Sequence, residues 1–319
     1  NLMNKIILVP DSFKGTMSSE KICSIMEKAI RPYYPEAEIL SIPVADGGEG
    51  SVDAFLSAMG GRKITVPVKG PYFEEVEGFY GIVDGNVAII EMAACAGLPM
   101  VGDNKHPDKT TTYGVGQLIV HAAKNGCKKI IVGLGGSATN DGGAGAAAAA
   151  GVKFYKKNGE EFIPTGGTLG EIDKIDLSGK DPALSAVPII TMCDIDNPLY
   201  GKTGAAYVFG PQKGADENMV EFLDSQLKSY AQIIQKELSL DVSQMPGGGA
   251  AGGMGAGMIA FFDSKLQMGI ETVLDTVGFD EMLQGADLVF SGEGKIDFQS
   301  LRGKVVIGVA QRTKKYHIP

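Results

Sequence analysis

The sequence has no tryptophan, only three histidines and only four cysteines in 319 residues. The histidines (His106, His121 and His317) show no partner pattern and read as structural or solvated. No H-E-x-x-H or G-x-S-x-G segment occurs, which speaks against zinc-protease and hydrolase-elbow chemistry. The cysteines (Cys23, Cys95, Cys127 and Cys193) make no C-x-x-C pair and no metal-ligand spacing. Cys23 and Cys95 stand among apolar neighbours and are expected to be buried free thiols, as suits a reducing cytoplasm. No run approaches the ~18 consecutive apolar residues of a membrane-spanning helix. The opening Asn1-Leu2-Met3 lacks the features of a secretory signal, and Met3 reads as the native start with Asn1 and Leu2 added before it. Basic charge is also short: a net charge of −9 argues against a nucleic-acid binder. It leaves a phosphorylated small ligand open, because local amides and a few cations can outweigh the global sign.

What the sequence does have is apolar residues, at 44%, and glycine, at 45 residues. The first is enough to bury a real core, in a length between one large domain and two moderate ones. The glycines follow no G-x-y period and cluster beside apolar segments. Such clusters mean close backbone approach or turns with positive φ.

Residues 5–9 form a short continuous apolar run, as in a strand buried on both faces. A helix follows from about Ser18, with Ile22, Ile25, Met26, Ala29 and Ile30 expected on its inner face. A strand over 37–44 and a helix opening at 46–50 continue the order of a doubly wound α/β sheet. Segments 64–69, 75–83 and 86–92 read instead as a meander that does not continue a parallel sheet, which places a domain junction near residue 66. Further strands are expected over 128–132, 187–192 and 286–290, and helices over 110–125, 218–238 and 304–316. No strand follows the last helix, so the chain is expected to be a truncated form of a longer protein.

Three loops share one grammar, an apolar strand, then glycines with acids or hydroxyls, then a helix: 45–50, 133–145 and 291–297. Helix N-termini offer unpaired N–H groups to phosphate or carboxylate, and glycine lets the anion reach the backbone. The G-x-G-x-x-A at Gly133, Gly135 and Ala138 looks like a dinucleotide fingerprint, but residues 153–159 are basic where a ribose-binding acid is needed, so NAD is discounted. The Gly201-Lys202-Thr203 segment mimics the end of a P-loop but has Asp196 in place of the first glycine and carries Pro198; only Lys202 itself could still meet a phosphate. Phosphoryl transfer needs donors around phosphates, carboxylates for Mg²⁺ and a group to receive or orient a hydroxyl proton. Asp11, Asp46, Glu49, Asp141, Asp194, Asp196, Glu293 and Asp297 all follow predicted strand ends. Lys14 is the best placed cation, with Lys295 and Arg302 next.

The segments P-D-S-F-K-G at 10–15, P-V-A-D-G-G-E-G at 43–50, G-G-S-A-T-N-D-G-G-A-G at 135–145 and C-D-I-D-N-P-L-Y-G at 193–201 resemble the bacterial glycerate kinase family that is unrelated to P-loop and protein kinases. So do G-P-Q-K-G-A at 210–215, P-G-G-G-A-A-G-G at 246–253 and S-G-E-G-K-I-D-F-Q-S at 291–300. The resemblance implies an α/β fold: a Rossmann-like parallel-sheet domain built from both chain ends (1–66 and 268–319), an inserted mixed α/β domain (67–267), and an active site in the cleft. It implies ATP and Mg²⁺ as cofactors, D-glycerate as the small-molecule acceptor, and 2- or 3-phosphoglycerate as product. Family members usually run some tens of residues longer. The roles it implies here are Lys14, Asp194 and Asp297 in catalysis, with Asp194 preferred as the base, and Asp11, Ser12 and Arg302 near substrate. Gly135, Gly136, Ser137, Thr139 and Asn140, with Gly247, Gly248 and Gly249, would cradle nucleotide phosphates; Asp46, Glu49, Asp196 and Glu293 would hold the metal. A kinase for another small hydroxy acid and a non-catalytic sensor of an organic acid or nucleotide stay open beside this reading.

Overall fold

The computed structural model describes residues 2–13, 15–294 and 304–319. In chain order its principal elements begin with β1 (Lys5–Pro10), α1 (Ser19–Ile30), β2 (Glu38–Ser41), α2 (Ser51–Met59), β3 (Gly61–Lys69), β4 (Glu75–Val83) and β5 (Val87–Glu91). Next come α3 (Ala93–Ala96), α4 (Tyr113–Lys124), β6 (Lys129–Gly133), α5 (Ala144–Ala149), β7 (Lys153–Tyr155), β8 (Glu161–Phe162), β9 (Lys174–Asp176) and β10 (Ile189–Met192). The rest are α6 (Ala205–Phe209), α7 (Glu217–Leu238), α8 (Ala250–Phe262), β11 (Lys265–Gln267), α9 (Gly269–Val277), α10 (Phe279–Met282), β12 (Leu288–Gly292) and α11 (Val305–Lys315). Contacts divide the chain into two units. The first comprises Asn1–Asp46, Gly50–Arg62 and Met268–Pro319, the second Gly47–Glu49 and Lys63–Gln267.

The first unit is built on a parallel sheet in the order β12-β1-β2. Ile6, Ile7, Leu8 and Val9 are wholly buried, which is why an unbroken apolar run suits this central strand. Helix α1 starts where Ser18 accepts a hydrogen bond from the Lys21 N–H at 3.2 Å, with Glu20 in its first turn and Lys28 in its last, both favourable to the helix dipole. Its buried positions are Ser19, Ile22 and Cys23, whereas Ile25 is 47% exposed and Ala29, also expected on the inner face, is exposed too. At about 100° per residue Ile25 falls well away from the stripe through Ser19, Cys23 and Met26, so the expected place for Ile25 in the core is corrected. The last residues return alongside β12, the Val289 N–H donating to the Pro319 carbonyl at 2.9 Å.

The second unit carries a mixed sheet in the order β11-β10-β6-β5-β4-β3. Strands β5, β6, β10 and β11 are parallel, and β4 runs antiparallel to β5. The expected meander is therefore corrected at its third member. V-A-I-I-E is buried on both faces like its neighbour K-I-I-V-G, and joins the parallel set. Strand β7 lies apart in a small antiparallel sheet, β8-β7-β9, so the basic segment that removed the dinucleotide reading does not end a parallel strand. All four cysteines are buried and free. No helix among the described residues is long and apolar enough to cross a membrane.

Candidate active site

The C-terminal ends of parallel strands collect the polar loops in each unit. In the first, Pro10 pairs with Gly292 and the Asp11 N–H donates to the Gly292 carbonyl at 2.8 Å, which sets Asp11 and Ser12 beside the start of the 293 loop. The Ser12 N–H donates to Asp11 Oδ1 at 2.8 Å, so one carboxylate oxygen fixes the turn. Glu293 accepts from the Val306 N–H at 3.2 Å and caps the start of α11. Asp46, exposed, ends this unit's segment after β2. Lys14, Lys295, Asp297 and Arg302 lie outside the described residues.

In the second unit, residues 47–49 dock at the end of β6: the Gly135 N–H donates to the Gly47 carbonyl at 3.1 Å. Gly135, Gly136 and Ser137 form the turn that follows, with Gly136 exposed. Asp194 and Asp196, both exposed, follow β10. Burial pushes the Cys193 thiol up, its bond to the Ile195 carbonyl opposes this, and the charges of Asp194 and Asp196 add to the rise.

Behind that rim lies a buried polar network. Asp141, wholly buried, accepts at Oδ2 from the Thr112 N–H (2.8 Å), the Thr112 hydroxyl (2.9 Å) and the Gly145 N–H (3.2 Å), and at Oδ1 from the Gly143 N–H (3.0 Å). Burial raises its carboxyl, and these donors pull it back. Lys213, 2% exposed, donates through Nζ to the Thr139 carbonyl at 2.6 Å; burial lowers its ammonium to about 7, with Asp141 opposing. Thr139 Oγ1 and both polar atoms of the Asn140 side chain are buried without a partner. Unsatisfied buried groups are uncommon in native proteins and call for an occupant or a function.

The glycine-rich loops at 135–145 and 247–253 come together. The Gly142 N–H donates to the Gly252 carbonyl at 3.0 Å, and a methyl group at Gly252, where φ is +64°, would overlap the Thr139 carbonyl oxygen. The N–H groups of Gly248 and Gly249 donate to the Met245 and Asn197 carbonyls at 2.9 and 3.0 Å. These glycines thus serve loop-to-loop packing, and two of the amides expected to face phosphate are already committed. Lys202, the P-loop mimic, stacks its ammonium over the Tyr207 ring at 4.3 Å.

Of the residues expected to hold metal, Asp46 and Glu293 belong to the first unit, Glu49 and Asp196 to the second. Among the described residues no three His, Cys, Asp or Glu side chains form a metal-binding group. Sequence reasoning missed Lys213 and the buried Thr110, Thr111 and Thr112, and also Glu91, 2% exposed at the end of β5 opposite Gly133. A carboxylate closing the apolar run V-A-I-I and three consecutive threonines before an apolar helix were available as signals.

A model of the glycerate kinase family matches residues 6–319. A glycerate kinase of Bacillus cereus is 49% identical over 317 residues, covering 99% of this chain and 83% of the relative. A glycerate 2-kinase of Escherichia coli K12 is 47% identical over 317 residues, covering 99% and 83%. The crystal structure of a candidate glycerate kinase 2 from Salmonella typhimurium LT2 superposes with a TM-score of 0.92 at 47% identity, covering 100% of this chain and 86% of that one.

Proposed function

The chain belongs to the glycerate kinase family, and from that premise we propose that it transfers the γ-phosphoryl group of ATP to a hydroxyl of D-glycerate. The observation that carries this reading is the match over residues 6–319, within which glycine and carboxylate loops follow the parallel strands of both units. A kinase of this family takes ATP as its phosphate donor. The nucleotide's phosphates are assigned to the turn at Gly135, Gly136 and Ser137 and to Thr139 and Asn140, whose unpaired hydroxyl and amide NH₂ can donate to an anionic guest. Gly247, Gly248 and Gly249 back that turn through the Gly252 contact.

Asp194, exposed at the end of β10, is assigned to orient the glycerate hydroxyl and take its proton as the oxygen attacks phosphorus and ADP leaves. Asp297 is the second choice for that role. Asp11 and Ser12 are assigned to glycerate, together with Lys14 and Arg302, whose cations suit its carboxylate. Mg²⁺ is held in phosphoryl-transfer sites by one or two carboxylates, the rest of its shell being phosphate oxygens and water. Oxygen donors at Asp196 and Glu49, or at Asp46 and Glu293, fit that demand without a three-residue protein cage. When bound, the ion neutralises charge on the phosphates. Four free cysteines are consistent with a cytoplasmic enzyme.

The test is incubation of the protein with ATP, Mg²⁺ and D-glycerate, with ADP release followed and the product identified by NMR. Phosphoglycerate formation is expected. Equal turnover of unrelated hydroxy acids would remove glycerate as the substrate, and nucleotide binding without any turnover would leave a sensor.

A further inference from the structure

Lys213 is a cation in the interior of the second unit, and nothing in the roles assigned above uses it. It lies just after α6, with its ammonium on the Thr139 carbonyl at 2.6 Å. That carbonyl is already pressed against the backbone of Gly252, and the next residues are pinned from the other side by the bonds to Asp141. The Thr139–Asn140 turn is thus held at both ends. Between those ends the Thr139 hydroxyl and the Asn140 amide have lost solvent without gaining a partner.

A relaxed turn would rotate these groups toward water or toward neighbouring carbonyls, since unsatisfied buried polar groups are costly. We propose that Lys213 is a positioning residue for nucleotide binding: by clamping the Thr139 carbonyl it keeps the Thr139 hydroxyl and the Asn140 side chain unpaired, ready for the polyphosphate. The inference rests on the nucleotide assignment made above. An amine and an ammonium both donate hydrogen bonds, so the clamp does not depend on the protonation state of Lys213. Cover over the turn must shift for the ligand to enter, and the unpaired atoms make that exchange favourable.

The experiment measures ADP affinity by titration calorimetry and thermal midpoints for wild type, Asn140→Ala, Lys213→Met and the double variant. Asn140→Ala is expected to weaken ADP at least tenfold while changing the midpoint little, because the release of unsatisfied polar atoms offsets the cavity left at this buried site. Lys213→Met is expected to weaken ADP at least tenfold below its own midpoint. The double variant should be no worse than the more affected single one, since both act on one feature. ADP affinity within twofold of wild type in Lys213→Met overturns the proposal, as does an additive double variant. If Lys213→Met does not fold, Asn140→Ala decides: a lowered midpoint with unchanged ADP affinity means that an internal water satisfies the amide, and the proposal fails. Wild-type protein that binds no ADP would sink the kinase reading itself, a result distinct from normal binding in the variants.

Discussion

Replacing Asp141 by Asn keeps the shape of the side chain and changes only what its two outer atoms can do. In the protein Oδ2 receives the Thr112 N–H, the Thr112 hydroxyl and the Gly145 N–H, while Oδ1 receives the Gly143 N–H. An amide has one acceptor atom, so the best orientation keeps the carbonyl at the Oδ2 position. The NH₂ group then faces the Gly143 N–H, donor against donor. That removes one hydrogen bond to a charged acceptor, worth ~1.5–3 kcal/mol, and weakens the remaining ones from charge-assisted to neutral. Lys213 also loses the carboxylate that favours its charge. Relief from burying an ion works the other way, as the raised carboxyl of Asp141 shows. The net loss is expected to be ~2–4 kcal/mol, or a fall of ~5–10 °C in the melting transition. Calorimetry of the purified protein at neutral pH checks this, with Asp141→Ala as the larger loss, since it strands all four donors. An Asn variant that melts within about 2 °C of wild type, or higher, would refute the view that a charged hub organises this loop.

Gly252→Ala should destabilise the second unit by ~3 kcal/mol or more, from an overlap with the Thr139 carbonyl and from positive φ; denaturant titration would show the shifted midpoint. Asp194→Asn should lower kcat ~100-fold or more while leaving ADP affinity and the melting temperature near wild type, because the side chain is exposed; steady-state kinetics and calorimetry separate the two. For Lys213, the folded-state value of about 7 lies below the ordinary 10.5, so under pH 7 the folded protein bears the full cost of a buried ammonium. Between pH 7 and about 10 the unfolded chain binds the extra proton, and stability rises with pH by up to ~1.4 kcal/mol per unit. Urea midpoints at pH 7, 8 and 9 should therefore pull wild type progressively upward relative to Lys213→Met.

Local signals in the sequence were sufficient where the structure is decided locally. The Ser18 cap, the apolar run of β1 and the glycine-acid loops after β2 and β6 stand where the pattern placed them, because caps, buried strands and strand-to-helix turns each have a short-range cause. Burial of charge has none. Lys213 lies in the G-P-Q-K-G-A segment, where the neighbouring residues give no sign that its side chain is buried, and only the fold brings it to Thr139, 74 residues earlier. Likewise the amides of Gly248 and Gly249 look available in sequence, and are spent on Met245 and on Asn197 once the chain has folded. Ile25 shows the same limit in miniature: its apolar character was legible, and the side of the helix on which it falls depended on where Ser19 and Cys23 packed.

Strand β1 has β2 on one side and β12 on the other, so its second neighbour arrives only when the ribosome has added about 250 further residues, a delay of ~10–50 s at ordinary rates of synthesis. For that interval a nascent strand made of Ile6, Ile7, Leu8 and Val9 waits with one edge open while the intervening polypeptide is translated. Recombinant yield should accordingly respond to chaperone supply and growth temperature, and to synonymous codons that change how long the edge stays bare.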